Sequence, residues 1–220
     1  GETFALTCAY DQAISSYFAS TVNAEADLPQ RLGLSGEAVQ TLRYGENPHQ
    51  KATWYKTGTQ VSGWAAAEKL QGKELSYNNL VDLEAARRII AEFPDGDPAV
   101  AILKHTNPCG VALGSTLQEA YEKAFAADSV SAFGGIVALN KPLDGPTAEA
   151  MGKVFLECVV APDCTPEARE IIAKKKNLRV LTLSDLLTGP TQTLKAIAGG
   201  FLAQDADTQI EDPKDWQCVT

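Results

Sequence analysis

Residues 100–113 read VAILKHTNPCGVAL, and this stretch decides how the rest of the chain is interpreted. An apolar, β-like run ends in Lys104 and His105, a Thr-Asn-Pro-Cys-Gly turn follows, and a second apolar run comes after it. In an open α/β sheet, side chains at the carboxyl end of a buried strand line the crevice where ligands bind. A cation beside an imidazole at that edge suits proton transfer next to a developing negative charge. The same pattern also fits a solvated lysine beside a histidine that is bonded to a carbonyl.

Short apolar runs alternate with helical patterns along the chain. The runs predict buried strands at 99–103, 135–139, 158–161 and 179–183. Helices are predicted at 3–20, from about 80 to 93 with Asn78 or Asn79 as the cap, at 116–127, at 146–156 and from Thr165 onward. This alternation predicts an α/β fold in three layers, α/β/α, with a mostly parallel sheet covered on both faces. Residues 193–198 and 218–220 are predicted to be edge strands.

Composition excludes several classes of protein. The chain has 220 residues, 45% of them hydrophobic, and a formal net charge of −9, which argues against a nucleic-acid platform. The one dense basic run, Lys174 to Lys176, fits a solvated helix end or a phosphate track. No apolar segment approaches the length of about 18 residues that spans a membrane. Five cysteines without a CxxC pair suggest neither a disulfide framework nor structural zinc, and free thiols predict a reducing, cytoplasmic setting.

Two further patterns carry groups that suit a phosphorylated ligand. Arg43 and Tyr44 place a guanidinium fork and a phenol before a flexible glycine, and guanidinium binds phosphate bidentately. The alternative is a plain surface turn. Gly134 and Gly135 precede a predicted strand and allow backbone to approach a ligand closely, although they do not form a GxGxxG motif.

Asn79 and Glu157 each have a functional and a structural interpretation. The carboxamides of Asn78 and Asn79 suit a ligand contact, yet helix capping explains one of them. Glu157 precedes a buried strand, where an acid suggests a donor-rich partner, either a ligand or a nearby lysine in a salt bridge. A zinc deaminase is rejected, because the H-x-E and P-C-x-x-C ligand patterns are not completed at His105 and Cys109.

Five long motifs then occur in one order: LRYGENPHQKA (42–52), LQGKELSYNNLVDLEAA (70–86), KHTNPCGVA (104–112), SAFGGIVALN (131–140) and VVAPDCTPEA (159–168). Together they closely resemble the transformylase portion of the bifunctional AICAR transformylase/IMP cyclohydrolase of purine biosynthesis, where AICAR is the aminoimidazolecarboxamide ribonucleotide. The resemblance runs from about residue 5 to the end of the chain.

The resemblance implies a reaction and a set of site residues. The family transfers a formyl group from the cosubstrate 10-formyltetrahydrofolate to the 5-amino group of AICAR, without a metal. Its transformylase consists of two tandem cytidine-deaminase-like units without zinc, in a homodimer with shared active sites. By motif, the resemblance implies proton transfer at His105, transition-state stabilisation at Lys104, and nucleotide contacts at Arg43, Tyr44, Asn79, Gly134 and Glu157.

Two parts of the family pattern are not found in these 220 residues. There is no cyclohydrolase domain, and the KSNA and SDAFFPF-type motifs of the second deaminase-like unit do not occur. Residues 1–220 are therefore predicted to be the first deaminase-like unit, with little or no turnover alone. The alternative is a non-catalytic module for nucleotide binding or dimerisation.

Overall fold

The computed structural model describes residues 1–22, 31–58, 60–94, 96–209, 214 and 216–218. Its helices are α1 Glu2–Val22, α2 Tyr77–Ala91, α3 Leu117–Ala127, α4 Gly145–Met151 and α5 Pro166–Ile172, with a 3-10 turn at Gly63–Ala65. Its strands are β1 Gly36–Leu42, β2 Ala52–Thr57, β3 Glu68–Gln71, β4 Ala99–Lys104, β5 Asn107–Leu113, β6 Ile136–Leu139, β7 Cys158–Ala161, β8 Arg179–Thr182, β9 Gln192–Ile197 and β10 Gly200–Asp205.

The core is built around β4, which is buried on both faces. Successive side chains of a strand point to opposite faces of the sheet. Val100 and Ile102 join an apolar cluster with residues of α3, α4 and α5. Ala101 and Leu103 join a second cluster, with α2. Helices therefore cover the sheet on both faces, which confirms the predicted α/β fold with helices on either side.

The prediction of a mostly parallel sheet is wrong. Six strands form the sheet in the order β3-β8-β7-β6-β4-β5. Only β6 with β7 and β7 with β8 are parallel, whereas β3 with β8, β4 with β6 and β4 with β5 are antiparallel. The physical reason at β5 is its connection, because only two residues separate it from β4 and a hairpin that short forces antiparallel pairing.

The reversed direction of β4 determines which residues meet at one edge of the sheet. Leu103 pairs with Ile136 on β6, Ile136 pairs with Cys158 on β7, and Cys158 pairs with Arg179 on β8. The carboxyl end of β4 therefore lies beside the amino ends of three parallel strands. The predicted crevice at a shared carboxyl edge is corrected accordingly. The three parallel strands contribute their amino ends there, whereas β4 and the antiparallel edge strand β3 contribute their carboxyl ends.

Two helix boundaries also differ from prediction. Ser76, and not Asn78 or Asn79, is the N-cap of α2, because its hydroxyl accepts a hydrogen bond from the backbone N–H of Asn79. The predicted helix at 146–156 ends at Met151, where Gly152 forms the C-cap. The helices predicted at 3–20 and 116–127 are confirmed, the latter with Thr116 as its N-cap.

Two hairpins lie outside the central sheet. Within the described ranges of the chain, β1 pairs only with β2, and β9 pairs only with β10. The edge strand predicted at 193–198 is thus a strand of a separate hairpin, and its partner β10 was not predicted. Cys218 is not in a strand, and residues 219–220 lie outside the described residues. Among the helices that the structure describes, none is both long and apolar enough to cross a membrane.

Candidate functional site

Lys104 is the last residue of β4, half-buried at the mixed edge of the sheet. Its ammonium donates a hydrogen bond to the carbonyl oxygen of Phe133 across 2.8 Å. Phe133 belongs to the turn before β6, so the bond holds the lysine beside Gly134 and Gly135. One of the three ammonium protons is thereby fixed, and the group remains a positive charge at this edge.

His105 and Thr106 form the two-residue turn between β4 and β5, and both have positive φ angles, of 53° and 63°. Lys104 and Asn107 pair on either side of them. Such turns favour Asn-Gly, and positive φ is a genuine outlier for a β-branched residue such as threonine. Strain of this kind costs about 1–3 kcal/mol per residue and concentrates at functional sites. The exposed imidazole thus sits on backbone that is held in an unfavourable conformation.

Three hydrogen bonds hold this turn. The N–H of Thr106 donates to Oδ1 of Asp82 on α2 across 2.8 Å. The carbonyl oxygen of His105 accepts from the Thr106 hydroxyl at 2.6 Å and from the Asn107 carboxamide at 2.8 Å. These bonds use backbone groups of the turn and leave the imidazole facing solvent. Asp82 was not among the predicted site residues.

The Asp82 contact leads to a stability prediction. Asp82→Ala is expected to lower the free energy of unfolding by about 1 kcal/mol, because the N–H of Thr106 loses a charged acceptor and the strained turn loses its tie to α2. Urea unfolding measures the change. Asp82→Asn keeps a carboxamide oxygen as acceptor and should recover most of the loss. Equal stability of all three proteins would contradict this role for Asp82.

Gly134 has a φ angle of +72°, which only glycine adopts without strain. Its N–H donates to the carbonyl oxygen of Phe155 across 2.8 Å. A Cβ atom at Gly134 would lie 3.6 Å from the Phe155 ring, an ordinary contact. The backbone angle, and not a lack of space, therefore explains why glycine stands here.

Glu157 lies directly before β7, and its partner is an arginine. Nη1 of Arg179 approaches Oε2 of Glu157 to 2.8 Å, and Arg179 Nε donates to the carbonyl oxygen of Glu74. The backbone N–H of Glu157 donates to the carbonyl oxygen of Gly135. The predicted lysine partner is therefore corrected to Arg179. The parallel register of β7 and β8 brings them together, so the strand predicted at 179–183 contained the signal for this pair.

Arg43 and Tyr44 follow β1 and begin a tightly bonded loop. The guanidinium carbon of Arg43 lies 5.6 Å from the centre of the Tyr44 ring, within the range of a cation–π contact. The N–H of Gly45 donates to the Gln50 carbonyl, and Oε1 of Gln50 accepts from the N–H of Asn47. Within the described part of the chain, Arg43 forms no ion pair, so its exposed guanidinium has free donors.

Asn79 is 8% exposed and is the third residue of α2. Its Oδ1 accepts a hydrogen bond from the N–H of Ser76, which completes a capping box with the Ser76 hydroxyl. Helix capping thus accounts for the carboxamide oxygen of Asn79. Asn78, in contrast, donates from Nδ2 to the carbonyl oxygen of Glu46, at 3.4 Å, in the loop after β1.

Helix α2 connects the two groups of candidate residues. Asn78 contacts the Arg43 loop and Asp82 contacts the His105 turn. Residues four apart on a helix share one face at about 5–6 Å. The loop that carries Arg43 and the turn that carries His105 are therefore tied to α2 one helical turn apart.

A groove of about 870 Å³ runs between the β1–β2 hairpin and α2. Its lining is mostly apolar and includes Trp54, Tyr77, Leu80 and, at the sheet edge, Thr106. This volume is within the range of ligand sites. None of the seven predicted site residues lines the groove, although Thr106 directly follows His105 in the turn.

The cysteines near this edge are not poised as nucleophiles. Burial raises the pKa of the Cys158 thiol to about 12. Desolvation, with the charge of Asp128 as a second cause, raises the pKa of Cys109. Both groups are therefore thiols at neutral pH. Among the described residues, no group of three or more His, Cys, Asp and Glu side chains is arranged to hold a metal ion.

The family model described as "AICARFT/IMPCHase bienzyme" matches residues 1–220. The chain belongs to this bienzyme family. The resemblance carried by the five ordered motifs is thereby confirmed.

Curated relatives of the bienzyme family are similar over the whole chain. "Bifunctional purine biosynthesis protein PurH" of Synechocystis sp. is 70% identical over 220 residues, and the alignment covers 100% of this chain and 42% of that protein. Proteins of the same name from Gloeothece citriformis and Nostoc punctiforme are 65% and 64% identical, with 43% and 42% of their lengths covered. The chain thus spans about two-fifths of the length of these relatives.

Among solved structures, Acinetobacter baumannii RibD, form 2, overlaps with the bienzyme chain at a TM-score of 0.37 and 16% identity. The overlap covers 49% of this chain and 37% of that one. A likeness of this size does not assign the fold.

Proposed function

We propose that this chain supplies catalytic groups for formyl transfer from 10-formyltetrahydrofolate to the 5-amino group of AICAR, as part of a bifunctional purine-biosynthesis enzyme of the cytoplasm. The observation that carries the proposal is the edge at the end of β4. There Lys104 is bonded to Phe133, His105 follows on a strained turn, and Gly134 and Glu157 border the same edge. Family membership of residues 1–220 supports the assignment.

The chemistry requires a base and a cation at one place. The AICAR amine is a poor nucleophile, because the neighbouring carboxamide withdraws electron density from it. In the proposed step the amine attacks the formyl carbon, the carbonyl oxygen becomes an oxyanion, and the bond from the formyl carbon to N10 of the folate then breaks. His105 takes the proton that the amine loses and then, as the imidazolium, returns a proton to the departing N10. Lys104 stabilises the oxyanion.

The remaining site residues are proposed to bind the nucleotide. The exposed guanidinium of Arg43 is suited to the phosphate, with Tyr44 beside it. Glu157 can accept from ribose hydroxyls or the carboxamide while Arg179 fixes its position. Gly134 allows backbone to lie close to the ligand, and Asn79 shapes the start of α2 next to the Arg43 loop.

The chain is further proposed to be the first cytidine-deaminase-like unit of the transformylase, acting in a homodimer. The matched relatives are more than twice as long as this chain. We therefore propose that these 220 residues alone turn over slowly or not at all and that a further segment completes the site. A non-catalytic module for nucleotide binding or dimerisation would bind AICAR but would not gain activity when that segment is added.

The decisive experiment is a calorimetric titration of AICAR into the 220-residue chain and into a Lys104→Ala/Arg43→Ala variant. Saturable binding to the first protein and at least tenfold weaker binding to the variant is the expected result. Lys73→Ala/Lys195→Ala, which changes two exposed cations that form no ion pair in the described structure, is the matched control. If no binding is seen, the titration is repeated with the remaining segment of the Synechocystis relative. Absence of binding there would refute the assigned site.

A further inference from the structure

Gln71, the last residue of β3, connects the edge of the sheet to the segment that leads into β8. Its Nε2 lies 3.1 Å from the carbonyl oxygens of Ile172, Lys175 and Leu178, so two amide protons are shared among three acceptors. Ile172 ends α5, and Leu178 directly precedes β8. One carboxamide therefore holds both ends of this connection, and with them the backbone of Arg179, the first residue of β8.

The chain directly after Gln71 lies against the same arginine. A Cβ atom at Gly72 would approach the carbonyl oxygen of Leu178 to 2.5 Å and the Cα atom of Arg179 to 2.7 Å. Two residues further on, the carbonyl oxygen of Glu74 accepts a hydrogen bond from Nε of Arg179 at 3.0 Å. Residues 71–74 thus hold both the backbone and the side chain of Arg179.

Arg179 in turn holds Glu157 at the site edge. Nη1 of Arg179 lies 2.8 Å from Oε2 of Glu157, and the arginine side chain is 13% exposed against 38% for the glutamate. The backbone N–H of Arg179 also donates to the carbonyl oxygen of Glu157 at 3.1 Å. Among the described residues, no other side chain or backbone group donates to the Glu157 carboxylate. The carboxylate therefore takes its position from the arginine.

One oxygen of this carboxylate is available to a ligand. Oε2 of Glu157 is bonded to Arg179, whereas Oε1 has no donor in the described part of the chain. A carboxylate oxygen accepts hydrogen bonds, and such bonds to a charged acceptor are strong when the geometry is right. A glutamate that is already held loses less side-chain entropy on binding than a freely rotating one.

We propose that Gln71 and Arg179 are positioning residues of the nucleotide site, with Gln71 acting on Arg179 and Arg179 acting on Glu157. This inference rests on the proposed function, in which Glu157 accepts a hydrogen bond from the nucleotide. The fixed Oε2 directs Oε1 toward a hydrogen-bond donor of the ligand, either a ribose hydroxyl or the carboxamide N–H. The QGKE residues of the 70–86 motif thereby act on the ligand from a distance.

The test is a double-mutant cycle on AICAR affinity, measured by calorimetry. AICAR is titrated into Arg179→Gln, Glu157→Gln and the double variant, with the remaining segment of the Synechocystis relative added. Glu157→Gln should bind AICAR about tenfold more weakly, since a charged acceptor is lost. Arg179→Gln should bind about fivefold more weakly, since the acceptor is no longer held. The double variant should match Glu157→Gln within about twofold, because the arginine acts only through the carboxylate.

Gln71→Met tests the distant end of the same chain of contacts. It keeps the length of the side chain but removes both amide protons. AICAR affinity should fall about threefold when Glu157 is present and should not change further in the Glu157→Gln background. Arg179→Lys, which keeps a cation near Glu157, should recover part of the loss seen in Arg179→Gln. Urea unfolding checks that each variant is folded under the conditions of the titration.

Arg169→Gln is the matched control. Arg169 also pairs with a carboxylate, that of Asp163 at 3.9 Å, and its Nε also donates to a backbone carbonyl, that of Cys164. This pair follows the carboxyl end of β7, at the opposite edge of the sheet, so AICAR affinity should be unchanged. Additive losses for Arg179→Gln and Glu157→Gln, or an equal loss in Arg169→Gln, would overturn the proposal.

A second nucleotide identifies the donor that Glu157 meets. If the donor is a ribose hydroxyl, 2′-deoxy-AICAR should bind the unmodified protein more weakly than AICAR, and Arg179→Gln should reduce this difference. If the donor is the carboxamide, Arg179→Gln should weaken both nucleotides equally.

The positioning role and the proposed function fail in different ways. Absence of AICAR binding to the unmodified protein would refute the proposed function. Binding by Arg179→Gln at unmodified strength, while Lys104→Ala/Arg43→Ala still binds weakly, would refute the positioning role alone.

Discussion

Replacing His105 by alanine is expected to lower formyl transfer to AICAR by about a hundredfold to ten-thousandfold, the usual contribution of a positioned general base. The loss should fall on the rate of the chemical step and leave AICAR affinity nearly unchanged, because the exposed imidazole is proposed to act in proton transfer and not in holding the nucleotide.

Lys104→Gln tests the proposed role of the lysine in stabilising the oxyanion. It keeps a hydrogen-bond donor for the Phe133 carbonyl but removes the charge, so the lysine's packing is retained while stabilisation of the oxyanion is lost. A decrease of about a hundredfold to a thousandfold is expected. The double variant should be little worse than the poorer single variant, since groups that act as a unit are not additive.

These rates are best measured in a chimera in which the 220 residues replace the matching segment of the Synechocystis relative, to which they are 70% identical. The chain contains two histidines, so His49→Ala is the matched control, an exposed imidazole in the loop after β1. Full activity of His105→Ala in the chimera, or an equal loss in His49→Ala, would remove His105 from the proposed mechanism.

Four buried strands of the central sheet, predicted at 99–103, 135–139, 158–161 and 179–183, were predictable from sequence, whereas strand direction was not. A strand buried on both faces is a continuous apolar run whichever way it points, so 99–103 and 136–139 carry no sign of their antiparallel pairing. The information lay in the link from β4 to β5. His-Thr is an unusual sequence for a two-residue hairpin, since Asn-Gly is the common signal, and the turn therefore appeared longer than it is.

Partners of the site residues were harder to predict than the residues themselves. Glu157 indicated a donor-rich partner, but only the parallel register of β7 with β8 identifies that partner as Arg179. The hydrogen bond between Asp82 and Thr106 joins residues that are 24 apart in sequence. Its donor is a backbone N–H, so the pattern of side chains does not predict it. Asn79 illustrates the opposite case, in which the carboxamide oxygen of a predicted site residue is already used in a capping box.

Gly110 provides the second prediction with a large effect, this time on stability. It belongs to the KHTNPCGVA motif, whose Thr-Asn-Pro-Cys-Gly segment predicts a turn. In the structure it lies within β5, opposite Ile102 of β4, with the backbone of α3 directly over it. A Cβ atom there would overlap the carbonyl oxygen of Ala124 and lie 3.0 Å from the Cβ of Ala127.

Gly110→Ala is therefore expected to lower the free energy of unfolding by about 3 kcal/mol, the upper part of the usual range for overpacking, because the clashing atom is helix backbone that no rotamer change can move. Urea unfolding measures the loss. Gly200→Ala, at a strand glycine whose added Cβ would meet nothing within 4 Å, should show no loss. Equal stability of the two variants would mean that α3 and β5 do not approach as closely as described.

The effect on AICAR binding distinguishes a glycine with a structural role from a proposed catalytic residue of the same motif. Gly110 and Lys104 lie on neighbouring strands. Gly110 packs against the backbone of α3, whereas the ammonium group of Lys104 lies at the edge of the sheet that carries the proposed site. In the absence of urea, and at a temperature where Gly110→Ala is still folded, the AICAR affinity of this variant should stay within about threefold of that of the unmodified chain. A larger loss would show that α3 packing positions the end of β4, and Gly110 would then act on the site through Lys104.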